Sequence, residues 1–244
     1  MRTLLFLLLL PCLAQAQLRA SYPGDFRAGR LASGNVSLTA PLPATLAWYG
    51  DSITQGSCNA TSPPAKLLQM LPGYSGVNRG VSGETMAQIA ARYFAGMATD
   101  CGGEVCGTYV VAGGTNDCGT GECDTDVVLA THLSVVDDAL SKGRRVVSFN
   151  IPPSRCAPEI ESCVGGNEAG ALKALEYRTK WQAACAARPA VACLDAFEEM
   201  EATWTDAEER GYLVDAYTCS PADRVHTSQA GADYLAAMAR RAFP

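Results

Sequence analysis

Leu46-Ala-Trp-Tyr-Gly-Asp-Ser-Ile-Thr-Gln-Gly56 holds the change of direction from which the rest of the chain can be read. The run from Thr45 to Tyr49 is apolar and short, the pattern of a buried strand. Gly50 permits a sharp turn, and Asp51 and Ser52 are residue types that favour turns and helix starts. A serine at such a corner lies at the carboxyl edge of a sheet, where open α/β folds place their ligands. Ser52 is therefore the candidate nucleophile. Gly-Asp-Ser alone is equally the mark of an ordinary cap, so the reading depends on the rest of the chain.

Further corners recur downstream. Pro63 to Leu71 reads as a short helix opened by prolines, and Tyr74 to Asn78 as a second strand. The motif Asn78-Arg-Gly-Val-Ser-Gly-Glu-Thr85 then turns, with two glycines, into a helical run ending at Phe94. Thr108 to Ala112 is a β-branched, apolar strand that stops at Gly113-Gly-Thr-Asn-Asp117. Asp124 to Ser141 reads as a helix with its stripe at Val128, Leu129, Leu133, Val136 and Leu140. Arg145 to Asn150 is a fourth strand, Glu168 to Ala187 a helix, Ala190 to Leu194 a fifth strand and Ser228 to Ala242 a closing helix. Residues 196 to 222 show no legible pattern. Strands alternating with helices predict a parallel sheet covered on both faces.

The 244 residues suit one α/β domain. Residues 1–16 stand apart as a signal peptide: Arg2, then an apolar core from Leu4 to Leu10, then the small-x-small site Ala14-Gln15-Ala16. Pro11 before Cys12 argues against a lipid-anchored cysteine, and no apolar run is long enough to span a bilayer. The expected mature domain is 17–244, secreted, with 18 basic residues against 25 acidic and a charge of −7. That balance disfavours nucleic acid or an anionic membrane as a partner. Ten cysteines remain once Cys12 leaves, an even number that suggests five disulfides in an exported chain. Ten cysteines allow about 945 pairings. The close spacings suggest Cys101–Cys106, Cys118–Cys123, Cys156–Cys163 and Cys185–Cys193, which leaves Cys58 for Cys219. There is no Cys-x-x-Cys and no histidine beside a cysteine, so no metal site is expected. Asn35 and Asn59 head N-glycosylation sequons, which chance also produces.

A serine hydroxyl needs a base to take its proton, and the base needs an orienting group. The chain offers two histidines. His132 lies inside the 124–141 helix near its apolar stripe, where a structural role is expected. His226 lies in a loop before the last helix, three residues after Asp223, close enough for a turn to bring carboxylate and imidazole together. Acyl transfer also needs donors for a developing oxyanion. The backbone N–H of Ser52, the backbone N–H of Gly80 and the side-chain amide of Asn116 are the candidates. Gly and Asn are also ordinary turn residues.

Gly50-Asp-Ser-Ile53, Gly80 within Asn-Arg-Gly-Val-Ser-Gly, Asn116 within Gly-Thr-Asn-Asp, and Asp223-x-x-His226 together resemble the four blocks of the SGNH hydrolases, the GDSL esterase/lipase family. Ile53 stands where the family name has Leu, a volume-conserving swap. The resemblance implies a flavodoxin-like three-layer α/β/α sandwich with a central parallel sheet of about five strands. It also implies serine ester hydrolysis without a cofactor or metal. Carried over, Ser52 is nucleophile, Gly80 and Asn116 are oxyanion donors with the Ser52 N–H, and His226 is the base oriented by Asp223. There is no Gly-x-Ser-x-Gly elbow of an ordinary α/β-hydrolase. His226 to Ala232 is similar to the last block of secreted rhamnogalacturonan acetylesterases, while Asn78 to Thr85 looks more like the lysophospholipase and arylesterase branch. The expected substrate is an ester with a small, acetyl-type acyl group on carbohydrate. A short-chain lipid or aryl ester is the second reading, and a non-catalytic carbohydrate-binding module is the reading from another class.

Overall fold

Strand β1, Thr45–Gly50, feeds two cores at once. Leu46 and Trp48 enter one buried cluster, and Ala47 and Tyr49 enter the other. This is why the run is apolar throughout: a strand covered by helices on both sides has no solvent face to mark with polar residues. The computed structural model describes residues 42–119, 121–152, 168–200, 217–220 and 223–244. The expected leader and the Asn35 sequon lie outside them, as does the Cys156–Cys163 pair.

After β1 come α1 (Ser52–Gln55), α2 (Pro63–Gln69), β2 (Ser75–Gly80), α3 (Met86–Gly96), β3 (Thr108–Val111), α4 (Thr115–Cys118) and α5 (Thr125–Ser141). The chain continues through β4 (Arg145–Phe149), α6 (Glu168–Ala186), β5 (Val191–Leu194), α7 (Ala196–Met200), β6 (Thr218–Ser220), β7 (Asp223–Thr227) and α8 (Gln229–Arg240). The main sheet has the order β2-β1-β3-β4-β5, with every pairing parallel. The expected five-stranded α/β/α arrangement is present. Its order reverses between β1 and β3, and such a switch point opens a crevice at the carboxyl ends of the strands. Gly50-Asp51-Ser52 and the corner at residues 112–116 are the two lips of that crevice.

One face of the sheet packs against α3, α5 and α6 through Ile89, Tyr93, Val135, Val136, Tyr177 and Trp181. The other packs against α2, α7 and α8, where Trp48 stacks on Phe149 with ring centroids 5.4 Å apart. Local chemistry sets the helix starts. Pro63 and Pro64 open α2. Asp124 caps α5 by accepting from Asp126 and Val127 N–H, and Ser228 caps α8 by accepting from Gly231 N–H.

Three expectations change. The buried stripe of α5 runs through Val128, Leu129, His132, Val135, Val136 and Ala139, while Leu133 and Leu140 lie only partly buried at its edge. His226 is not in a loop. It lies on β7, which pairs with β6 in a separate antiparallel ribbon. Ribbons of three and five residues are too short to show a period. The third change is the short helices α1, α4 and α7, each at the carboxyl end of a sheet strand.

Disulfides join Cys58–Cys219, Cys101–Cys106, Cys118–Cys123 and Cys185–Cys193, as the spacing suggested. The first spans 161 residues of sequence. By the chain-entropy account, closing a loop of that size destabilises the unfolded chain by about 5 kcal/mol. Among the described residues no helix is long and apolar enough to cross a membrane.

Candidate active site

Asp51 ends the first lip by capping α1: its Oδ1 accepts the Ile53 N–H at 3.0 Å. Ser52 is thereby the first helical residue, and its own N–H has no helical acceptor. Asp51 is buried, and burial pushes its carboxyl above the ordinary carboxylate range. Gly50 has to be glycine, because a Cβ there would meet Thr54 Oγ1 at 2.0 Å.

Ser52 Oγ lies 2.9 Å from His226 Nε2, across 174 residues of sequence. His226 Nδ1 lies 2.7 Å from Asp223 Oδ2. The other Asp223 oxygen accepts the backbone N–H of Val225 at 3.2 Å and of His226 at 3.0 Å. The carboxylate is thus fixed by the turn that also presents the imidazole. Burial pushes the Asp223 carboxyl up, but the hydrogen bonds from His226 backbone and ring, with those from Val225, outweigh it and hold it below its ordinary value. A carboxylate that stays ionised keeps the proton on Nδ1 and leaves Nε2 to accept from the serine. The three side chains expected from the sequence stand in one chain of hydrogen bonds.

Asn116 comes from the second lip. It lies just beyond Gly113 and Gly114, whose φ values of +153° and +104° turn β3 into α4. Its Nδ2 donates to Glu84 O at 2.8 Å, which uses one of two amide hydrogens and leaves the other. The residue is exposed. Asp117 Oδ2 accepts the Met86 N–H at 2.8 Å, so the corner after β3 is fastened to the start of α3.

Gly80 does not take the expected place. Its N–H donates to Asn78 Oδ1 at 2.8 Å, and that amide is anchored in turn by Nδ2 bonds to Thr54 O and Ser62 Oγ. Gly80 is a packing glycine: a Cβ there would lie 2.1 Å from Gln55 N. Along the same turn Val81 N–H donates to Gly50 O, Ser82 N–H to Gln55 Oε1 and Glu84 N–H to Val81 O. Gly83 is the residue of this turn whose N–H is not so engaged. It is exposed, with φ of +79° and open space around its α-carbon. The motif contains two glycines, and only the hydrogen bonds distinguish them.

Sequence reasoning also missed Arg92. Its guanidinium pairs with the Glu84 carboxylate, donates to Arg79 O at 2.6 Å and lies over the Tyr49 ring. It thereby ties the ends of β1 and β2 to the residue whose carbonyl holds Asn116. An arginine in a helical run carries no sequence signal for such a role. Cys58, Asp223 and His226 offer ligand-type atoms within 4.8 Å of one another. Cys58 sulfur is bonded to Cys219, however, and cannot serve as a thiolate.

His132 has the structural place expected for it. It is wholly buried, with Nε2 2.9 Å from Ser148 Oγ and Nδ1 2.8 Å from the Tyr177 hydroxyl. Burial pushes its pKa down to about 4.

The model of the GDSL-like lipase/acylhydrolase family matches residues 48–234. No curated protein sequence matches the chain. Among solved structures, a candidate acylhydrolase from Bacteroides fragilis NCTC 9343 aligns with TM-score 0.62 at 22% identity, over 83% of this chain and 89% of that one. A GDSL-like lipase from Bacteroides thetaiotaomicron VPI-5482 aligns with TM-score 0.59 at 22% identity, over 81% and 85%. A structure described as an acetyl xylan esterase aligns with TM-score 0.59 at 16% identity, over 82% and 100%. At these identities the structural likeness speaks for the fold.

Proposed function

The chain belongs to the GDSL-like lipase/acylhydrolase family and is a carboxylic ester hydrolase, and on that premise we propose that it is a secreted enzyme removing small, acetyl-type acyl groups from carbohydrate through an acyl-enzyme on Ser52. The observation that carries the site assignment is the Asp223–His226–Ser52 chain, with contacts of 2.7 and 2.9 Å, at the switch point of the sheet.

In this proposal Ser52 Oγ attacks the ester carbonyl carbon while His226 Nε2 takes its proton. The negative charge that develops on the carbonyl oxygen is met by the Ser52 N–H and the free Asn116 amide hydrogen. Gly83 supplies the third donor in place of Gly80, whose N–H is committed to Asn78. Collapse of the tetrahedral species expels the alcohol, which leaves with the proton held by His226. Water then attacks the acyl-enzyme with His226 again as base and releases the acid.

Secretion is supported by the leader-like residues 1–16 and by the disulfides, which persist in oxidising compartments. The small acyl group on carbohydrate is supported by the similarity of His226 to Ala232 to the last block of secreted rhamnogalacturonan acetylesterases.

The test is turnover on p-nitrophenyl esters from acetate to palmitate beside acetylated xylan and pectin. Acetate release from polymer, with rejection of chains longer than butyrate, is the expected result. Good rates on long chains with none on polymer would make it a lipid or aryl esterase or a lysophospholipase. No turnover on any ester would leave a carbohydrate-binding module.

A further inference from the structure

Among the described residues the ribbon that carries His226 pairs with no strand of the main sheet, so other contacts hold the imidazole against Ser52. Four consecutive residues, Cys58 to Thr61, run along that ribbon and fasten it on both sides of His226. Before it, Cys58 is bonded to Cys219 of β6, with Cα atoms 5.8 Å apart. After it, the Asn59 amide, oriented as its surroundings require, donates to Thr227 O at 2.7 Å and Ser228 O at 3.0 Å. Thr61 and Gln229 close a reciprocal pair: Thr61 N–H to Gln229 Oε1 at 2.9 Å, and Gln229 Nε2 to Thr61 O at 3.0 Å. The sulfur of Cys58 lies within 4.8 Å of ligand-type atoms of both Asp223 and His226.

At the other end, the strap starts directly after α1, whose first residue is Ser52 and whose C-cap is Gly56. Cys58 has φ of +69°, and among the described residues no other non-glycine has a positive φ. A side-chain-bearing residue keeps such a conformation where its surroundings dictate it, and such residues gather at functional sites. The same four residues thus link nucleophile helix and base ribbon, covalently through Cys58 and by hydrogen bonds through Asn59 and Thr61.

We propose that Cys58–Thr61 is a positioning strap for His226, with the Cys58–Cys219 bond as its covalent anchor. The proposal rests on the assignment of His226 as base. A misplacement of about 1 Å in a catalytic group can cost about 100-fold in rate. Loosening the strap therefore lowers turnover rather than merely the melting temperature. The strap also has a corollary for the Asn59 sequon: a glycan on that nitrogen would replace one of the two hydrogens that hold Thr227 and Ser228.

The experiment compares C58S/C219S with C101S/C106S, a disulfide pair remote from the ribbon, and with H226A. Turnover of p-nitrophenyl acetate is measured well below the melting midpoint, with near-UV circular dichroism reporting the fold. For C58S/C219S, kcat is expected to fall by about 10- to 100-fold with KM changed by less than about twofold. Adding N59A should lower it further, while C101S/C106S should keep kcat near wild type. A folded C58S/C219S with wild-type kcat would overturn the proposal. If that variant does not fold, the wild-type enzyme is reduced with a dithiol, which delivers two electrons and two protons to the bond. Activity should then be lost in step with the opening of Cys58–Cys219, mapped by peptide analysis, and ahead of the dichroism signal. Activity that survives the opening, or that is lost only with the fold, would overturn it. Wild-type turnover in H226A would instead remove the base assignment itself.

Discussion

The molecule contains two serine–histidine pairs with the same contact distance. His226 Nε2 stands 2.9 Å from Ser52 Oγ, and His132 Nε2 stands 2.9 Å from Ser148 Oγ. Each imidazole has a partner on Nδ1: the Asp223 carboxylate in one, the Tyr177 hydroxyl in the other. A search for a serine beside a histidine would return both. The difference lies in the third group and in access. A carboxylate can stabilise the imidazolium that forms when serine gives up its proton, whereas a phenol cannot. Burial alone already holds His132 neutral, with its pKa pushed down to about 4. Ser148 also accepts from Trp181 Nε1 at 3.0 Å and lies under two helices, so no ester can reach it. Ser52 is buried too, but its partner His226 is partly exposed and the uncommitted donors Asn116 and Gly83 are exposed. A hydrogen-bonded serine and histidine make a reactive site only with a charged orienting group, an open face and somewhere for the negative charge to go.

The comparison breaks most sharply at the serines. Ser52→Ala should lower kcat by about 10⁴-fold or more, because the nucleophile is gone. Ser148→Ala should leave kcat unchanged and instead destabilise the fold by about 1–3 kcal/mol, since His132 and Trp181 lose a buried partner. Kinetics and urea unfolding of the two variants read both halves. Equal kinetic effects would erase the distinction.

The orienting groups come next. Asp223→Asn should cost about 10²- to 10⁴-fold in kcat by removing the charge that holds the imidazole. Tyr177→Phe, the matching change in the other pair, should leave turnover alone and cost about 1–3 kcal/mol of stability. An Asp223→Asn enzyme with wild-type kcat would show that the carboxylate is not needed.

The last prediction concerns pH and leaves turnover aside. In the unfolded chain His132 takes up its proton near pH 6.5, whereas in the fold it does so only near pH 4. Between those values the unfolded chain binds more protons, so stability falls as pH drops through that window. The shift corresponds to about 3 kcal/mol, fully lost below pH 4. His132→Asn should show a shallower loss of stability between pH 6.5 and 4, measured from urea midpoints. Parallel curves for variant and wild type would mean that His132 is not the group responsible.

Four of the five main strands, β1, β3, β4 and β5, were legible because each is a short, largely apolar run stopped by glycine, proline or a turn residue. The corners at Ser52 and Asn116 were legible for the same reason. Strand β2, Ser75-Gly-Val-Asn-Arg-Gly80, is an edge strand with little apolar character and was legible only from its place before the next corner. The ribbon carrying His226 was not, since strands of three and five residues are too short to show a hydrophobic period. The choice between Gly80 and Gly83 was beyond the sequence for a different reason. It depends on whether a side chain two residues earlier reaches back, and Asn78 does so only because Thr54 and Ser62 hold its amide in place. Residue type announces that a turn can offer an N–H. Whether that N–H is still free is a property of the folded neighbourhood.

The central claim is that Ser52, and not another hydroxyl, takes the acyl group. Labelling with a p-nitrophenyl alkylphosphonate, which forms a stable adduct with an activated serine, tests it directly when combined with peptide mapping. The account predicts one adduct per chain, on Ser52, formed in step with loss of activity and suppressed in His226→Ala. Activity lost with the label on a different residue, or turnover persisting after Ser52 is fully labelled, would contradict it.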